Sequence, residues 1–144
     1  MGGFYLFRLR GIPVFVSGWY LLLLLYFGMT SSSWAGGLML ALVVTVSILV
    51  HEFGHGLMAR RYGLEPSILL HGWGGLCAHR PAKRDRHEAL IVAAGPGAGF
   101  VLGGVALAAV WIVESAAPDV LASRPMLDSA ASYLLWTSFG WSIL

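Results

Sequence analysis

The chain has 144 residues, 58% apolar and only 11% charged, with a mean hydropathy of +0.76 and a net charge of +2. A soluble domain carries roughly 25% charged residues, so most of this surface is not made for water, and its few basic residues, set beside apolar runs, offer no platform for nucleic acid. The lone Cys77 excludes an intrachain disulfide.

Four uncharged apolar runs follow in chain order. Ile12 to Met29 is 18 residues, enough for one membrane-crossing helix, and too long for the apolar core of a cleaved signal peptide. A second run starts at Gly36 and continues through a His-Glu-Phe-Gly-His stretch to Ala59. Leu64 to His87 is a connection in which "SILLH" and "LCAHR" flank the glycines of Gly72 to Gly75, the pattern of a short hairpin. Ala89 to Val113 is 25 uncharged residues, long enough to span with tilt. The fourth run, Ser129 to Leu144, has 16 residues against the roughly 20 of a full crossing. The expected fold is therefore an all-α polytopic membrane protein of one domain, residues 1–144. It has about four transmembrane helices and a short β-hairpin in a cytoplasmic loop.

Charge orients it. Arg8 and Arg10 precede the first run, Arg60 and Arg61 follow the second, and Arg80, Lys83, Arg84 and Arg86 precede the third; only Arg124 falls in the loop after it. Eight basic residues on one side and one on the other make the eight cytoplasmic, with the N-terminus inside. The loops Thr30 to Ala35 and Glu114 to Asp128 are then outside, with Trp34 and Trp111 as interfacial aromatics.

The second run carries the chemistry. On a helix, His51 and His55 lie one turn apart on one face and can share a tetrahedral Zn²⁺, while the neighbouring Glu52 can serve as a general base. The metal acidifies water and polarises a carbonyl, and the carboxylate moves the proton. By chance the motif arises in roughly one such chain in two hundred. About 24 Å of helix from Ala35 puts it just inside the cytoplasmic boundary of a roughly 30 Å core, where ionisable residues are costly and functional. Glu114, Asp119 and Asp128 fall on the opposite side. His71, His79 and His87 read as loop or interfacial histidines and Cys77 as a small strand residue. Gly95, Gly99 and Gly103 form a small-xxx-small packing face, and Pro96 predicts a kink that could open room beside the zinc.

With "HEFGHGLMARRYG" at Leu-rich membrane depth, "GIPVFVS" from Gly11, "LHGWGGLCAHR" from Leu70 and "AAGPGAGF" from Ala93, the chain resembles the site-2 proteases, the family of intramembrane zinc metalloproteases. The resemblance covers most of the chain. It implies Zn²⁺ held by His51 and His55, Glu52 as base, and Gly54, Gly72, Gly74, Gly75, Gly95 and Pro96 as substrate-binding or supporting positions. It implies cleavage of single-span membrane proteins, often anchored regulators, with an unfolded substrate segment pairing with a strand edge of the hairpin. It also implies a multi-pass protein of a bacterial cytoplasmic membrane.

The chain departs from the family pattern twice. The family's third ligand is an aspartate in a later segment, and nothing after Asp128 is acidic; Gly99 stands where an asparagine is common. The expectation is a natural protein that continues with that aspartate, so that these 144 residues alone bind zinc weakly and do not cleave. Otherwise His79, Cys77 or His87 is the missing ligand. The alternatives are a non-catalytic membrane module of the same fold and a haem protein. An intact Glu52 argues against the first, and two histidines on one face against the second. Oligomeric state has no signature in the sequence.

Overall fold

The computed structural model describes residues 3–31, 33–117 and 124–143. The element order is β1 (Phe4–Leu9), β2 (Ile12–Val16), α1 (Gly18–Thr30), α2 (Trp34–Arg61), β3 (Ser67–His71), β4 (Gly74–Ala78), α3 (Asp85–Ala116) and α4 (Pro125–Ile143). Ser32 and Asp119, both in the loops expected outside, lie outside the described residues.

The first apolar run is not one helix. Ile12, Val14 and Val16 alternate with less buried neighbours, the two-residue period of a strand, and the chain turns helical only after Ser17. The Ser17 side chain accepts from the Tyr20 N–H at 3.3 Å and caps α1, leaving a helix of 13 residues, about 20 Å. β2 is drawn into the sheet because one face of it finds a core.

The expected hairpin is correspondingly half of a larger object. The sheet has four strands in the order β1-β2-β3-β4. β3 and β4 pair antiparallel with Ile68 opposite Cys77, as the hairpin pattern requires. β2 then lies parallel to β3, Val14 opposite Ile68, and β1 pairs antiparallel with β2. The fold is therefore helical with a small mixed sheet, not all-α. β1 has no strand period in the sequence because FYLFRL has no buried face: all six residues are exposed.

The core sits where the sheet meets the helices: Ile12, Val14 and Val16 of β2 and Ile68 and Leu70 of β3 pack on Tyr20 of α1 and on Val44 and Ile48 of α2. The Tyr20 hydroxyl bonds Thr45 Oγ1 at 2.8 Å, tying α1 to α2. α2 ends in a left-handed Gly63 at φ 75°, with Leu64 N–H reaching back to the Ala59 carbonyl at 3.1 Å, so the chain turns directly into β3.

α2, α3 and α4 pack on one another. Ser47 Oγ meets Thr137 Oγ1 at 2.8 Å between α2 and α4, and Gly103 of α3 receives the Phe139 ring. α3 runs as one helix from Asp85 to Ala116 across Pro96. Among the described residues, α2 and α3 are long and apolar enough to cross a membrane. Only 28% and 22% of their apolar windows are buried, so both turn most of their apolar surface outward, as lipid-facing helices do and buried core helices do not. The 13-residue α1 is too short for that test.

Candidate metal centre

α2 carries His51, Glu52 and His55 in its C-terminal half, beneath the sheet and beside α3. The two Nε2 atoms stand 3.1 Å apart. Two nitrogens on one tetrahedral zinc at 2.0–2.1 Å are about 3.3 Å apart, so the pair already converges as a shared ion requires. His55 Nδ1 lies 2.8 Å from the Ile91 carbonyl. A carbonyl only accepts, so Nδ1 carries the proton and Nε2 presents its lone pair toward His51. Metal-binding imidazoles are commonly oriented by an outer hydrogen bond of this kind. His51 Nδ1 is buried and has no partner among the described residues.

Two missing side chains make room for these groups. A Cβ on Gly95 would collide with the His55 ring, and one on Gly75 would stand 2.7 Å from Glu52 Cδ and Oε1. Gly95 thus lets α3 pass over the imidazole, and Gly75 lets β4 lie on the carboxylate. The Cys77 backbone N–H donates to Glu52, which is only 5% exposed. Glu52 is therefore held by the β4 backbone rather than by a cation.

A cavity of about 430 Å³ opens over this triad, walled by Trp73, Gly75, Cys77 and His79 from the hairpin and Ile91 from α3. Cys77 and His79 share the cavity, yet no group of three His, Cys, Asp or Glu side chains close enough to hold one ion occurs among the described residues. Burial, and after it the Glu52 carboxylate, push the Cys77 thiol up to about 12. His79 is engaged elsewhere, Nδ1 at 2.9 Å from the Arg80 carbonyl and Nε2 at 3.6 Å from Glu88. His87 stacks on Tyr62 with ring centroids 4.0 Å apart, and His71 Nδ1 accepts from the Trp73 N–H.

Of the supporting positions named from sequence, Gly75 and Gly95 touch the triad. Gly54 packs against the Ala94 carbonyl of α3, Gly72 lies against Trp19 of α1, and Gly74, at φ 130°, begins β4. Pro96 lies within α3 one residue past Gly95. The Ile91 carbonyl and the Cys77 N–H went unread because backbone atoms have no sequence signature; only the glycine spacing hinted at Gly95.

The residues present fit a metal as two of its donors with a carboxylate alongside. Comparison with known proteins agrees. The profile of Peptidase family M50 matches residues 39–139, which includes the triad. The chain belongs to that family, the site-2 protease family of zinc metalloproteases. It is 35% identical over 109 residues to a candidate zinc metalloprotease of Synechocystis sp., an alignment covering 65% of this chain and 29% of that protein. Its fold matches the solved site-2 protease from Methanocaldococcus jannaschii with a TM-score of 0.68 at 27% identity, over 94% of this chain and 62% of that one. The chain thus spans less than a third of the first relative and under two thirds of the second.

Proposed function

We propose that the protein is a zinc-dependent intramembrane endopeptidase that cleaves membrane-anchored proteins. The observation that carries this is the convergence of two imidazole Nε2 atoms, 3.1 Å apart, beside a buried carboxylate on a membrane-length apolar helix. His51 and His55 hold the metal, and the Ile91 carbonyl keeps His55 in the ligating tautomer. Bound zinc supplies a Lewis acid for the scissile carbonyl and lowers the pKa of water. Glu52 takes the proton of the attacking water and passes it to the leaving nitrogen. The Cys77 N–H orients that carboxylate.

A helical substrate hides its peptide bonds in its own hydrogen bonds and must be extended before it can be cut. β4 is the last strand of the sheet, and Gly75 to Cys77 wall the cavity. Its outer edge offers an extended segment replacement hydrogen bonds next to the triad.

A catalytic zinc takes three protein ligands. The third is proposed to be an aspartate from sequence outside these 144 residues, as the site-2 protease pattern implies. On this reading the 144 residues alone hold zinc weakly and do not cleave. The protein is read as a multi-pass protein of a bacterial cytoplasmic membrane with its N-terminus inside, on the strength of the eight-to-one basic asymmetry.

Metal analysis of the purified full-length protein tests the core of this reading. One zinc per chain is expected, lost on His51→Ala or His55→Ala; zinc retained at full stoichiometry by both variants would refute the assignment. Cysteine labelling tests the orientation. A cysteine at Arg84 should resist an impermeant thiol reagent on intact cells and one at Asp119 should react; the reverse would move the site to the other face.

A further inference from the structure

α2 has a second face that the metal centre does not use. Val46, Val50, Phe53 and Leu57 line one wall of a groove of about 430 Å³, Phe7 and Leu9 of β1 line the other, and Ala98 of α3 closes its floor. The groove is apolar apart from Arg10 at its end. From Val46 to Leu57 is about 17 Å of helix, close to the roughly 15 Å of one leaflet's hydrocarbon.

The arginine is where a phosphate would be. Arg10 and Gly11 form the two-residue β1–β2 turn with φ 47° and 79°. Such turns favour Asn, Asp or Gly, and a long side chain in the left-handed region is disfavoured. An arginine kept at this cost points to a use for its charge. The Arg60 guanidinium lies over Gly11 from the end of α2, and Arg8 and Arg60 line a polar cavity of about 380 Å³ on the other side of the same turn. The acidic residue of that cavity, Glu65, pairs with Arg80 at 3.5 Å. Among the described residues Arg8, Arg10 and Arg60 form no ion pair. A leaflet-length apolar groove with one unpaired arginine in its lining fits an acyl chain under an anionic headgroup.

We propose that this groove is a binding site for an anionic phospholipid, with an acyl chain against Val46 to Leu57 and the phosphate on Arg10. The site rests on the membrane placement of α2 and is independent of proteolysis.

The test uses the full-length protein in neutral detergent, titrated with phosphatidylglycerol, phosphatidylcholine or inorganic phosphate and read by native mass spectrometry. Phosphatidylglycerol should bind at least tenfold more tightly than phosphatidylcholine. Arg10→Asn, which suits the turn better and should fold at least as well, should cut that preference about fivefold, the equivalent of about 1 kcal/mol per surface arginine. Val46→Trp, which fills the groove, should weaken both lipids. Equal binding of the two lipids, or an unchanged preference in Arg10→Asn, would overturn the proposal. So would displacement of phosphatidylglycerol by millimolar phosphate, which would mark a free-anion site, or groove protection by dimerisation without lipid. Zinc content is measured alongside: loss of lipid preference with zinc retained leaves the metal centre standing.

Discussion

The two faces of α2 between Val46 and Leu57 are built by opposite means. One holds His51, Glu52 and His55 and is approached by backbone: α3 crosses at Gly95 and β4 at Gly75, close enough that no side chain fits between, with a cavity left over the triad. The other holds Val46, Phe53 and Leu57 and leaves a groove open toward β1. The difference teaches how ionisable groups are kept on an apolar helix. They are not diluted among polar side chains. Main-chain groups supply two of them with the partners a hydrocarbon surrounding would deny: the Cys77 N–H for Glu52 and the Ile91 carbonyl for His55. The other face is apolar and needs no such partners.

The largest effect should come from adding a side chain on the face that carries the triad. Gly95→Leu drives methyl groups into the space of the His55 ring. Zinc content should fall by more than tenfold and cleavage by the full-length protein by about 10³ or more, whereas Gly97→Leu, on the same helix with open space around it, should retain both. Equal loss in the two variants would mean that the helix, not the close approach, is at fault.

Chemical reactivity offers a smaller contrast. The thiol of Cys77 ionises near 12 rather than near 8.5, because its charged form would be buried beside Glu52. Its thiolate is therefore scarce at pH 8 and becomes abundant only as pH approaches 12. Alkylation at pH 8 should be at least about tenfold slower than at a cysteine on the solvated loop, after allowing for the greater intrinsic nucleophilicity of a high-pKa thiolate. Mass spectrometry of the modified protein measures both rates. Comparable rates would show that the Cys77 thiol is more hydrated than its burial implies.

The smallest effect concerns helix contacts away from both faces. Ser47→Ala removes the 2.8 Å contact to Thr137 between α2 and α4. Interhelical hydrogen bonds of this kind average about 0.6 kcal/mol in membranes. A shift of that size in detergent unfolding, with zinc content unchanged, would confirm that α4 positions the bundle rather than the triad.

Part of this arrangement is legible in the sequence and part is not. His51, Glu52 and His55 stand out because a helix converts their spacing into a shared face. β3 and β4 stand out because glycine turns separate two apolar runs. Ile12 to Val16 misleads, since an uncharged run that continues into a helix has the composition of one, and strand alternation is invisible when the intervening positions are Pro13 and Phe15. β1 carries no buried face to set a period. The partners of the triad are the least legible of all, because backbone atoms at positions 77 and 91 leave no residue-type trace.

The central claim is that Glu52 moves the proton at a zinc held by His51 and His55. Glu52→Gln in the full-length protein keeps shape and removes the proton acceptor, so zinc stoichiometry and cleavage of a membrane-anchored substrate, measured on the same preparation, test it most directly. Zinc should stay at the wild-type level while cleavage falls by about 10²–10⁴. Cleavage near the wild-type rate with zinc in place would contradict the account.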